Sequence, residues 1–247
     1  MTVRLSFPDA KAFQNILEAI SKLIDELAII VTPEGARAKA LDAAHVALIE
    51  IVFPPEFFLE YTVEEESKVG FNTSTLLKLL KRSRKGDRLD IEVEGDSVTY
   101  AIIGTTTKKY KLLNLDIPEP EIPEAKLEFK VSASMIVDPL KNAIKDAETV
   151  GDTLELEAPD ENILILRGKG VAQTEARISK ESGALIEYVV EEPSKSSYSV
   201  EYLKHVVALT KIADTVKLDF ASQMPLRLEF GLPGDARVTY LLAPKME

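Results

Sequence analysis

A long-period repeat constrains this chain more than any single motif, because one succession of strand, helix, strands, helix and strands is read twice. In the first copy a strand at Val3 to Phe7 leads into a helix starting at Pro8 and Asp9, with Phe13, Ile16, Leu17, Ile20, Leu23 and Ile24 at helical spacing. The β-rich runs AIIV, ARAKAL and HVALIEIVF follow, with the turn residues Thr32, Pro33, Glu34 and Gly35 between the first two. A second helix is predicted from Ser74 to about Arg84, and LDIEVEG, SVTYAIIG and TKKYKLLNL complete the copy as strands. The second copy reads as a strand at Leu127 to Val131, a helix at Ser134 to Glu148 and strands LELEA, ILILRG and AQTEARI. It ends with a helix at Tyr202 to Ala213 and strands TVKLDFA, PLRLEFG and ARVTYLLA. The shared order, not residue identity, marks the repeat.

Between the copies, DIPEPEIPEA alternates Pro118, Pro120 and Pro123 with Glu119, Glu121 and Glu124, which excludes a helix interior or a central strand. The expected division is an amino-terminal domain over 1–117, a connecting loop over 118–126 and a carboxyl-terminal domain over 127–247. The fold class is α+β: two similar domains, each with two helices packed on antiparallel sheets.

With 45% hydrophobic residues the chain can build a core, and no apolar run nears the roughly 18 residues needed to span a bilayer. No membrane partner is expected. The start, MTVRLSFPDAKAF, lacks a secretory pattern and cysteine is absent, so the expected location is inside the cell. A formal charge of −11 argues against nucleic acid unless the cations are gathered on one surface. They do gather. Lys78, Lys81, Arg82 and Lys85 fall at i, i+3, i+4 and i+7 of the second predicted helix, with Arg84 nearby. Lys141 and Lys145 lie one turn apart on the third, and Lys204 and Lys211 bracket Ala208 on the fourth. The first helix is nearly neutral, its polar face collecting Lys11, Asn15, Glu18 and Lys22. A lysine-rich face on one helix is ordinarily just solvated. Its recurrence on three of four helices suits phosphate contact without base readout.

Catalytic signatures are missing. His45 and His205 are the only histidines, and neither lies in an HExxH arrangement, so no metal and no cofactor is expected. GKG at 168 to 170 lacks the phosphate-loop pattern, no GxSxG occurs, and DTLELEAPDE lacks calcium-loop spacing.

Four segments, ALDAAHVALIEI at 40 to 51, FNTSTLLKLLKR at 71 to 82, LNLDIPEPEIPE at 113 to 124 and YLLAPKME at 240 to 247, together resemble the proliferating cell nuclear antigen family, the archaeal and eukaryotic sliding clamps. The resemblance covers essentially the whole chain. It implies the DNA clamp fold and a subunit of a ring-shaped trimer, closed head to tail through edge strands. GTTTKKYKLLNL and TEARISKE would supply the edges, with Lys108, Lys109 and Lys111 facing Glu175. It implies no enzyme activity: the ring encircles duplex DNA without sequence preference, confers processivity on a replicative polymerase and tethers other replication and repair enzymes. By position, Lys78, Lys81, Lys145, Lys204 and Lys211 would contact phosphates, with Arg82, Arg84 and Lys85 nearby and Lys141 on the same helix as Lys145. Where the family often has a basic pair on the first helix this chain has Gln14 and Asn15, for which Lys11 and Lys22 compensate.

The resemblance also implies an apolar pocket for a glutamine- and aromatic-containing client peptide. The matching positions are Leu41, His45, Val46, Leu48, Ile122, Pro123, Pro225, Leu241, Ala243 and Pro244, extended by Lys245 and Met246 of the tail. Each buried anchor contributes about 1.5 to 3 kcal/mol, and the tail adds backbone pairing. The linker glutamates would steer basic clients. Implied partners are double-stranded DNA, two further clamp subunits of the same or sister chains, a clamp loader of the replication factor C type, and DNA polymerase, flap endonuclease and DNA ligase through short peptide motifs. The place of work would be the cytoplasm or nucleoid in an archaeon and the nucleus in a eukaryote. Two other readings stand beside this one: a checkpoint-type clamp platform, and a hydrolase using a carboxylate pair across a cleft.

Overall fold

The computed structural model describes residues 3–120, 122 and 126–246, so Pro123 of the expected pocket and the linker acids Glu121 and Glu124 lie outside the described residues. The chain forms two compact units. One comprises Met1–Ala43, Ile49–Glu121 and Leu232–Val238; the other comprises Ala44–Leu48, Ile122–Gly231 and Thr239–Glu247.

The first unit opens with β1 (Val3–Phe7) and α1 (Ala10–Ile20). Asp9 caps the helix by accepting the N–H groups of Lys11 and Ala12, which otherwise have no partner in the first turn. Phe13, Ile16, Leu17 and Ile20 are all buried, as the periodicity predicts. Then come β2 (Glu26–Thr32), β3 (Gly35–Leu41), β4 (Ala47–Phe53), β5 (Glu60–Thr62) and β6 (Ser67–Asn72). The sequence reading missed the last two. α2 (Thr73–Leu80) is followed by β7 (Arg88–Glu94), β8 (Ser97–Ile103) and β9 (Thr107–Leu113). Strands β5-β1-β7-β8-β9 form an antiparallel sheet in which Leu5 sits between Tyr61 and Ile91. Strands β4-β3-β2-β6 lie in a second sheet. Phe7 ties these elements together, its ring 4.7 Å from Phe13, 5.4 Å from Phe53 and 4.8 Å from Phe58.

The second unit repeats the plan with β10 (Val131–Ile136), α3 (Val137–Val150), β11 (Gly151–Ala158), β12 (Ile163–Gly170) and β13 (Gln173–Ser179). β14 (Leu185–Val190), β15 (Ser194–Ser199) and α4 (Val200–Val206) follow, then β16 (Thr215–Phe220), β17 (Leu226–Gly231) and β18 (Arg237–Leu242). Strands β14-β10-β16-β17-β18 are neighbours in order, and β13-β12-β11-β15 form a separate antiparallel sheet. Helix α3 buries Leu140, Ile144 and Ala147 and packs on β11 and β12. Gly168 permits that approach, since a Cβ there would lie 2.6 Å from the Ala147 Cα. The GKG segment is therefore a packing feature.

Several boundaries differ from the sequence reading. The segment 127–130 is not a strand; β10 begins at Val131, where alternation between β14 and β16 starts. Helix α2 stops at Leu80 instead of running to Arg84, because Ser83 turns its hydroxyl back to the Leu80 carbonyl and Asp87 accepts the Arg84 N–H. Helix α4 ends at Val206, and a single 3-10 turn at Leu209–Lys211 continues the chain where an unbroken helix to Ala213 was expected.

Candidate functional site

In the first unit α1 packs beside α2, and the Ser74 hydroxyl at the start of α2 donates to the Ser21 carbonyl at the end of α1. Lys22 follows that end and is exposed, one residue beyond the α1 cap. Lys78 and Lys81 are exposed one turn apart, with Arg82 next in the chain. Arg84 and Lys85 belong to the turn closed by Asp87, so the expected i+7 member of the helical stripe is not on the helix. Gln14 and Asn15 are buried at 6% and 4% exposure. Asn15 is thus absent from the polar face, and Gln14 accepts a hydrogen bond from Lys11 at 2.8 Å.

In the second unit α3 packs against α4. Lys145 is exposed on α3, while Lys141 is held by Asp138 one turn earlier. Lys204 on α4 pairs with Glu201 at 3.0 Å, and Lys211 is exposed on the 3-10 turn. The side-chain cations of Lys22, Lys78, Lys81, Arg82 and Lys145 have no anionic partner among the described residues. The first unit therefore offers four such cations on or just past α1 and α2 and the second offers Lys145 on α3, in a chain of net charge −11. Such groups can exchange water and counterions for phosphate oxygens without giving up an internal ion pair.

Of the described residues expected to line a partner pocket, all but Leu41 belong to the second unit. The Ala243 N–H donates to the Val46 carbonyl at 2.9 Å, and the Lys245 N–H donates to Ser197 at 2.7 Å, so the tail is fixed by main-chain bonds. Pro244, Lys245 and Met246 line a cavity of about 270 Å³ with Glu155, Lys195, Ser196, Ser197 and Gln223. Met246 is 83% exposed, an unusual position for a large apolar side chain. Leu48, Ile122, Pro225 and Leu241 are half-buried. His45 is exposed with φ 59°, and Gln223 has φ 58°; non-glycine residues in this left-handed region are strained and concentrate at functional sites. Leu41 lies in the other unit, where it lines a separate cavity of about 140 Å³ with residues including Leu27, Ile30, Ile117, Pro118 and Pro120. Lys195, Ser196, Ser197 and Gln223 escaped the sequence reading. Nothing in SKSSYS or ASQMP signals a cavity before β15 and the tail meet.

Around that cavity runs an ion-pair network across β13, β12, β11 and β15. Glu155 is 1% exposed in its side chain and is contacted by Lys169, by Lys195 at 3.2 Å and by Arg167 at 3.4 Å. Burial pushes its pKa up, but hydrogen bonds from Lys169 and Lys195 outweigh this, so the carboxyl titrates below its usual range. Arg167 also holds Glu157 and, at 2.6 Å, Glu175, which Arg177 bridges as well. Hydrogen bonds from Arg177 and Arg167 lower the pKa of Glu175. Glu175 is thus already occupied within its own strand neighbourhood, and Lys111 on β9 stands 3.8 Å from Glu94. The expected electrostatic match between these two edges has to compete with those internal pairs. β9 and β13 themselves are edge strands of their sheets, as expected.

The segment leading into the linker is stitched to β6. Leu115 donates to the Gly70 carbonyl, while the Asn114 side chain accepts the Gly70 N–H at 2.8 Å and donates to the Lys68 carbonyl at 2.9 Å. Arg37 reaches Glu119 at 3.6 Å. Among the described residues no group of His, Asp and Glu is arranged to hold a metal ion, and no helix is long and apolar enough to cross a membrane.

Comparison with known proteins accounts for both units. The family model for the N-terminal domain of proliferating cell nuclear antigen matches residues 2–121, and that for the C-terminal domain matches residues 125–245. A DNA polymerase sliding clamp 1 from Sulfurisphaera ohwakuensis is 38% identical over 99% of this chain and 100% of its own length. A DNA polymerase sliding clamp from Thermofilum pendens is 34% identical over the same shares of the two chains. A chain in the crystal structure of a PCNA2-PCNA3 complex from Sulfolobus tokodaii superimposes with a TM-score of 0.93 at 28% identity, over 99% of this chain and 100% of that one. With both halves matched in order and relatives aligned from end to end, the chain belongs to the proliferating cell nuclear antigen family.

Proposed function

We propose that this chain is one subunit of a DNA polymerase sliding clamp, a closed ring that encircles duplex DNA and carries no chemistry of its own. The observation that carries this reading is the set of unneutralised cations on or just past the paired helices, Lys22, Lys78, Lys81 and Arg82 in the first unit and Lys145 in the second, within an acidic molecule. Lys11, Arg84 and Lys85 of the first unit and Lys141, Lys204 and Lys211 of the second would add to these phosphate contacts. Contacts of this type are made to phosphates and leave sequence unread, so the protein would slide. Ring closure would come from the exposed edges β9 and β13, pairing one subunit with the next in a heterologous contact that closes after three copies. The complex of two different clamp chains from Sulfolobus tokodaii supports sister chains as partners alongside further copies of this one.

Client enzymes, namely polymerase, flap endonuclease and ligase, would dock short motifs on the surface containing His45, Val46, Leu48, Ile122, Pro225, Leu241 and the tail, while a loader of the replication factor C type opens the ring. Residues 118–126 would serve as the connector between the two domains along the chain. The nucleoid of an archaeal cell is the place of work that suits the relatives. The test is primer extension on a long singly primed template, with polymerase, loader and this protein, alone or with its sister chains. Product length should rise sharply only when clamp and loader are both present; stimulation of no polymerase in any combination overturns the proposal and favours a checkpoint platform.

A further inference from the structure

A chain terminus held only by its peptide bond frays, and a frayed segment must be ordered before it can pair with a partner. The tail here is held twice. Its main chain is fixed at Val46 and at Ser197 of β15 by the N–H groups of Ala243 and Lys245. The Lys245 side chain reaches the neighbouring strand, where its Nζ donates to Asp152 Oδ1 at 2.8 Å and to Thr153 Oγ1 at 2.7 Å. The Thr153 hydroxyl in turn donates to Asp152 Oδ1 at 2.8 Å, closing a triangle on β11. Thr153 and Ser199 are register partners, so β11 and β15 hold the two anchoring points on one sheet.

In an extended segment, successive residues turn their backbone groups to opposite edges. With the Ala243 and Lys245 N–H groups bonded inward, this alternation assigns the Pro244 carbonyl and the Met246 N–H to the outer edge. Proline has no N–H of its own, so the outward edge offers one acceptor followed by one donor, the pattern an added strand needs. We propose that Asp152 is a positioning residue for client binding: through Lys245 it fixes the tail so that the Pro244 carbonyl and Met246 N–H are set to pair with the flank of an incoming peptide. This rests on the reading of the tail as part of the client site.

The test uses the full protein and two synthetic peptides carrying a glutamine-and-aromatic motif, a long one whose flank reaches the tail and a short one without that flank. In calorimetry, Asp152→Ala should weaken the long peptide by about two- to fivefold, the range of a single exposed ion pair, and leave the short peptide unchanged. Asp152→Glu, or the exchange of Asp152→Lys with Lys245→Asp, should restore most of the loss, and the Lys245 amide should exchange its proton faster in Asp152→Ala. Equal effects on both peptides, or no effect with unaltered exchange at Lys245, overturn the proposal. Equal binding of both peptides by the wild type keeps the client site and rejects tail pairing. Wild-type protein that binds neither peptide rejects the client site itself, and the role of Asp152 with it.

Discussion

Replacing Lys78, Lys81 and Lys145 together by alanine removes three exposed cations that no internal anion neutralises. The logarithm of affinity for duplex DNA falls with the logarithm of salt at a slope of about −0.9 per phosphate neutralised, so loss of three contacts flattens the slope by about 2.7. Between about 50 and 200 mM salt, the wild type should therefore lose about 40-fold more affinity than the triple variant. Alanine at Lys141 and Lys204 should move the slope less, because Asp138 and Glu201 already sit against those ammonium groups one helical turn away. The assay is fluorescence anisotropy of a labelled duplex titrated with the assembled protein over a salt series, with ring mass checked in parallel. Parallel slopes for wild type and triple variant would refute the reasoning. So would an equal change from the Lys141 and Lys204 pair, since internal pairing would then have no bearing on phosphate contact.

Glu155→Gln should destabilise the second unit by about 1 to 3 kcal/mol in urea unfolding, a range reduced because Lys169 and Lys195 are partly exposed. Since the folded pKa of Glu155 lies below its usual value, its contribution is present above the ordinary carboxylate range and lost as pH falls through the folded pKa. The wild type should thus lose stability more steeply on acidification than the Gln variant, and identical pH profiles would count against this. Gly70→Ala places a Cβ 1.9 Å from the Leu115 carbonyl oxygen, so it should cost about 1 to 3 kcal/mol and speed hydrogen exchange at the Leu115 amide as the segment before the linker lifts from β6. Asp9→Ala removes the α1 cap and should lower stability by about 1 kcal/mol, read as a drop in Tm.

Amphipathic period and turn chemistry made the plan of both units legible. Asp9, the apolar stripe of α1 and the hairpin at Thr32 to Gly35 emerge where local residues decide local structure. β5 and β6 did not, because EYT is short and exposed and SKVGFN needs β2 on one side and Asn114 with Leu115 on the other to become a strand. The end of α2 falls short of its charge pattern for a similar reason: KRSRK continues the helical charge spacing, yet the Ser83 hydroxyl and Asp87 carboxylate offer the backbone better partners. The cationic residues were legible as a set, but their grading was not. Which lysines are neutralised depends on Asp138 and Glu201, and the buried state of Gln14 and Asn15 depends on packing. Family resemblance pointed to the tail; Asp152, Gln223 and Lys195 enter only when strands distant in sequence bring them beside it.

Topological linkage to DNA is the claim on which the account turns. The protein, assembled with its sister chains if it needs them, is loaded on a nicked circular plasmid and washed at a salt concentration that abolishes simple phosphate contact. It should stay with the circle through gel filtration and leave when a restriction enzyme opens the circle. Release at the same rate from circular and linear DNA would contradict the account.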